Sequence, residues 1–173
     1  MPSPFADFLQ TDVVTGRALL HVGDRPIAYR LPCPVEDIKA MGRFRQRLVG
    51  SVTQGMTWVD GIYLSPRWVA EFRATRPIKL EHLVLHECAH WWQLWKRMGA
   101  LDFPLTYGWQ GLLALWKYGS AHLYAQHPME REAHSIEISL IYAARNAYLE
   151  ARSPSGFVFD TGEWLDNVFP AER

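Results

Sequence analysis

VLHECAHWWQLW, residues 84–95, sets two histidines and a glutamate inside a run of leucine, valine and tryptophan. Apolar residues recur at spacings of three and four from residue 80 to 98, which predicts a helix that Gly99 ends. Taking three adjacent ionisable groups into so apolar a helix costs free energy unless a partner compensates them. On a helix turning about 100° per residue, His86 and His90 stand about 40° apart and one turn from each other, so their imidazoles can converge on one point. Glu87 is offset by about 100°, beside that point and not on it. Neutral imidazoles suit Zn2+, and zinc lowers the pKa of a bound water to about 7, where a carboxylate alongside can take its proton. The spacing therefore predicts a hydrolytic zinc centre with His86 and His90 as ligands and Glu87 as general base. Gln93, seven residues after His86, returns to the ligand face and is expected to hydrogen-bond behind the ligands, whereas Cys88 points the other way, into the core.

A catalytic zinc needs a third protein ligand. HPMEREAHSIE, residues 127–137, is the dense downstream source. Pro128 opens a helix on which Glu130 and His134 lie one turn apart on one face, Glu137 returns to that side a turn later, and Glu132 points elsewhere. The residues themselves leave two assignments open. Either Glu130 is the ligand and His134 or Glu137 bonds a ligand imidazole from behind, or His134 is the ligand and Glu130 stands behind it. Tyr124 and His127, just before this helix, are the candidates for a donor that stabilises an oxyanion.

Outside these two segments the chain reads as strands first and helices afterwards. ALLHV (18–22) and PIAYRL (26–31) flank Gly23-Asp24 as a hairpin or two short strands, and TWVDGIYL (57–64) is another strand candidate with Asp60-Gly61 as its turn. Between them, residues 35–48 are patterned as an amphipathic helix with a basic outer face. Ser65-Pro66 caps a short helix, residues 102–106 read as a loop, residues 109–125 as a largely buried helix, and residues 128–151 as a third long one. The expected class is α+β, a small antiparallel sheet followed by a helical half that carries the metal site. Residues 1–152 form one domain and residues 153–173 an aromatic C-terminal arm suited to docking.

Composition narrows the function. Eighteen Lys plus Arg balance eighteen Asp plus Glu, so no charge excess points to nucleic acid or an anionic membrane. Residues 109–125 are broken by Gln110, Lys117 and His122, too polar and too short for a spanning segment of about 20 residues. The N-terminus lacks the basic and apolar pattern of a signal peptide. Two cysteines, Cys33 and Cys88, are too few for a disulfide framework and read as reduced, buried thiols of a cytoplasmic protein. Eight tryptophans exceed what a core of this size needs and suggest a partner surface.

HECAHWWQ resembles the HExxHxxQ helix of gluzincin-type zinc metallopeptidases, especially small bacterial and phage domains whose motif reads HELxHxxQ. YAQHPMEREA (124–133) resembles their second motif, a tyrosine followed by PxExEA. The resemblance spans about 60 residues, from Leu80 to Ile141, and GIYLSP (61–66) is similar to the strand that precedes the active helix in such domains. It implies a minimal zincin-like fold, Glu130 as the third zinc ligand, and a peptide or protein substrate. Related domains often carry aspartate four residues after that glutamate. His134 stands there here, which leaves the supporting carboxylate to Glu137. A virion-associated setting is implied as well as a cytoplasmic one, and the alternative to an enzyme is an assembly component, of a phage tail or injection apparatus, that retains fold and metal. Hydrolysis of a non-peptide amide is a third reading, because HExxH does not specify the substrate.

Overall fold

A computed structural model describes residues 5–23, 26–50, 53–151 and 156–170. The first segment builds β1 (Leu9–Thr11), β2 (Arg17–His21) and β3 (Ala28–Pro34), with burial alternating along β2 and most of β3, joined antiparallel with Leu20 opposite Tyr29. Gly23 turns between β2 and β3 at φ 56°, and Asp24, its expected partner in the turn, lies outside the described residues. A second sheet joins β4 (Ile38–Ala40), β5 (Gly55–Trp58) and β6 (Gly61–Leu64) in the order β4-β6-β5. β5 and β6 form a hairpin around the expected turn, closing with Trp58 opposite Gly61. Gly61 is required there, because φ is 148° and a Cβ would run into the Asp37 carbonyl.

The helices follow: α1 (Arg43–Val49), α2 (Pro66–Thr75), α3 (Pro77–Trp92), α4 (Asp102–Tyr118), α5 (Leu123–Gln126), α6 (Pro128–Glu150) and α7 (Thr161–Val168). Prolines start α2, α3 and α6, where the missing N–H is no loss. Ser65 does precede α2, but its side chain makes no capping bond. α3 runs through the centre, packed against α6 on one side and the strands on the other. From Leu83 to His90 every side chain of it is buried, Val84, Leu85 and Cys88 completely. The chain is thus α+β.

Four expectations change. Pairing is mixed and not wholly antiparallel: β7 (Val158–Asp160) joins β3 in parallel and β4 joins β6 in parallel. Residues 35–48 are not one helix, because Ile38 is buried opposite Ile62 as part of β4 and the helix begins only after Gly42. That pairing with a strand more than 20 residues away outweighs the local pattern. Residues 102–106 are not a loop but the start of α4, since Pro104 falls in the first turn, where it removes no intrahelical hydrogen bond. The helix expected over 109–125 stops at Gly119, φ 77°, and resumes as a separate short helix, and far from being largely buried it leaves Trp109, Leu112 and Trp116 exposed.

The described part of the C-terminal arm folds back on the domain. Asp160 caps α7 by accepting from Glu163 N at 2.9 Å and also meets Arg17 and Arg30. Leu165 is buried, Trp92 donates to Asp166 at 3.2 Å, and Phe157, Phe159, Trp164 and Phe169 pack against the core. Residues 153–155 and 171–173 lie outside the described residues. Among those described, no helix is long and apolar enough to cross a membrane.

Candidate metal centre

The helical spacing of four on α3 does bring the two imidazoles together, with ring centroids 4.9 Å apart. Glu130, in the first turn of α6, meets both: its Oε2 lies 3.2 Å from His86 Nε2 and its Oε1 lies 3.3 Å from His90 Nε2. The other ring nitrogens face acceptors. His86 Nδ1 bonds Glu137 at 3.2 Å and His90 Nδ1 bonds Gln93 Oε1 at 2.8 Å. Each of those bonds uses the Nδ1 proton, so each Nε2 presents its lone pair to the Glu130 carboxylate. Lone pairs facing a carboxylate in a buried pocket repel unless positive charge stands between them. His90 Nε2 is buried and makes no hydrogen bond.

In the ion-free chain a proton supplies that charge. Burial alone would lower the pKa of His86, but its hydrogen bonds to Glu130 and Glu137 outweigh it and push the group up to about 10. Burial alone would raise the pKa of Glu130, yet the contacts from His86 and His90 hold it below the usual carboxylate range. The three ligand atoms lie within 4.8 Å of one another, and this buried group of two histidines and a glutamate could hold a metal ion. A second group, His86, His134 and Glu137, gathers on the Nδ1 side of the same imidazole. An ion there would take the nitrogen that now bonds Glu137, so the two groups compete for His86.

Glu87 sits beside this point, buried, with Oε2 accepting from Thr57 Oγ1 at 2.9 Å. Burial raises its pKa above the ordinary range, against the opposing pull of His90 and His86. Gly55, on the same strand as Thr57, lets the carboxylate lie flat against β5, since a Cβ there would come 2.7 Å from Oε1.

Of the other expected residues, Tyr124 reaches the centre, its hydroxyl 3.2 Å from His86 Nε2. Burial and the neighbouring Glu130 keep that phenol protonated, a donor. His127 turns away: it is buried under α4, with Nε2 bonded to the Tyr107 carbonyl at 3.0 Å. His134 bonds Glu137 at 3.2 Å and does not reach His90 or Glu130 in either ligand group. Gln93 opens a six-residue π-helical segment that continues α3, and it ties His90 to Glu132 by donating at 3.0 Å. Glu132 in turn pairs with Arg97.

Four participants were missed. Tyr107 donates to Glu130 and packs its ring, tilted, on His127, Thr57 holds Glu87, Gly55 makes room for it, and His82 bonds Glu137. Only His82 left a signal, as the first of three histidines recurring every four residues at 82, 86 and 90. The centre lies in an open cleft of about 1010 Å³ whose walls include Gly55, His82, Leu83, Glu87, Tyr124 and Arg131. No protein-family model, curated protein or solved structure matches the chain.

Proposed function

We propose that this chain is a zinc metallopeptidase of the gluzincin type, with His86, His90 and Glu130 as the zinc ligands. Two imidazole nitrogens and one carboxylate oxygen form a donor set that zinc favours in catalytic sites. When bound, zinc would supply a Lewis acid and lower the pKa of a coordinated water. The observation that carries the reading is Glu87. A buried carboxylate with a raised pKa, anchored by Thr57 beside the ligands and open to a cleft, is placed to take a proton from water and return it to a leaving amine. A metal held for stability alone has no use for such a base.

The remaining groups have defined tasks. Glu137 and Gln93 hold the two imidazoles in the tautomer that offers Nε2. Tyr107 steadies Glu130. Tyr124 offers a phenolic proton at the mouth of the cleft, where a tetrahedral oxyanion would need a donor. The test is metal content and peptide cleavage of the purified chain beside Glu130→Ala and Glu87→Gln. Glu130→Ala should lose zinc, whereas Glu87→Gln should keep it and stop cleaving. A Glu87→Gln protein as active as the parent would refute the reading.

A further inference from the structure

α4 carries an outward apolar stripe that nothing among the described residues covers. Leu101 (79% exposed), Leu105 (70%), Trp109 (63%), Leu112 (61%) and Trp116 (86%), with Leu113 beside them, recur at spacings of three and four along one side of it. Only Phe103 and Ala114 of this helix are buried. Together the six exposed side chains present about 800 Å² of surface, beyond the 300–600 Å² of the largest patch on an ordinary monomer. That area is also about what each partner contributes to a standard interface.

We infer that the exposed face of α4 is a dimer interface, with two copies of the chain packing α4 against α4 antiparallel about a two-fold axis near Trp109. Charge placement selects a second copy. The charged residues of α4 are Asp102 in its first turn and Lys117 in its last, both at the flank of the stripe. An antiparallel pair sets each Asp102 against the partner's Lys117, twice over, and opposes the two helix dipoles. No charge on the stripe between them would be buried. A lipid surface fits less well. Lys96 and Arg97, which precede α4, are already paired with Asp166 and Glu132, and the whole chain is formally neutral, so it offers no cationic excess for anionic headgroups.

The interface also bears on the centre, because Tyr107, which bonds Glu130, sits on the inner side of the same helix. The dimer itself does not depend on the proposed chemistry.

Sedimentation equilibrium of the full chain tests the inference. The expected mass is twice 20.0 kDa at micromolar concentration. Leu112→Glu with Trp116→Glu should give a monomer of unchanged helical circular dichroism, since both side chains are exposed. Lys117→Asp should raise the dimer Kd by roughly fivefold by putting like charges together at two places, and Asp102→Lys with Lys117→Asp should restore it. A parent chain that stays monomeric at hundreds of micromolar overturns the inference. So does a doubly substituted chain that still dimerises, or a monomer that floats with neutral phosphatidylcholine vesicles. A charge swap that fails to restore the Kd overturns the antiparallel arrangement.

Discussion

α3 and α4 are both rich in leucine and tryptophan, yet they break the usual pattern in opposite directions. α3 is buried at every position from Leu83 to His90 and still carries two histidines and a glutamate there, each with a named partner. α4 is nearly free of charge and leaves most of its large apolar side chains in solvent. Polar groups where water is excluded are costly, and so is apolar surface where water is not. Each departure has its own consequence: α3 contributes two histidines to a buried group that could hold a metal ion, and α4 offers the face on which the inferred dimer rests.

The sharpest way to break this contrast is Glu87→Gln. It is isosteric and keeps an acceptor for Thr57, so fold and metal content should be unchanged while cleavage falls by about 10²-fold to 10⁴-fold, read as kcat on a peptide substrate. Next come matched truncations in the two helices. Leu85→Ala in α3 opens a cavity at a site with no exposure and should cost about 2–5 kcal/mol in urea unfolding. Leu112→Ala in α4, measured where the chain is monomeric, should stay within about 0.5 kcal/mol. Equal costs would mean that α4 is covered in the monomer after all.

Smaller effects separate the supports of the centre from its frame. Gln93→Ala removes the acceptor that orients His90 and should weaken zinc binding by about 10-fold to 100-fold in a competition titration. The frame has its own acid sensitivity at Asp12. The Val14 N–H at 2.9 Å and Arg30 at 2.5 Å lower its pKa from 3.8 to about 2. Because the folded value is the lower one, the stabilisation is complete above the unfolded pKa and is lost as pH falls through about 2. The stability gap between parent and Asp12→Asn, measured on the ion-free chain, should therefore shrink between pH 4 and 2. A gap that stays constant over that interval would remove Asp12 from the account.

What could be read in the sequence is what local spacing determines. His86 and His90 share a face because four residues make one turn, and Pro128 sets where Glu130 enters the first turn of α6. The α+β order followed from where alternation gives way to a period near 3.6. Contacts made by distant partners left no such mark. Thr57 stands 30 residues before the glutamate it holds, and Tyr107 reaches Glu130 from a helix whose first turn, holding a proline, reads locally as a loop. Residues 38–40 have a helical pattern and form a strand because β6 offers them an edge. The apolar period of α4 reveals a face but not what meets it, so the period alone does not separate a buried helix from an exposed one.

The most direct test is zinc X-ray absorption on the purified chain loaded with one equivalent of metal. The expected first shell has two imidazole nitrogens and carboxylate or water oxygens at about 2.0–2.2 Å, with the two-imidazole scattering lost in His90→Ala. A sulfur shell at about 2.3 Å, which only Cys33, Cys88 or a methionine could supply, or a spectrum unchanged by His90→Ala, would contradict the centre described here.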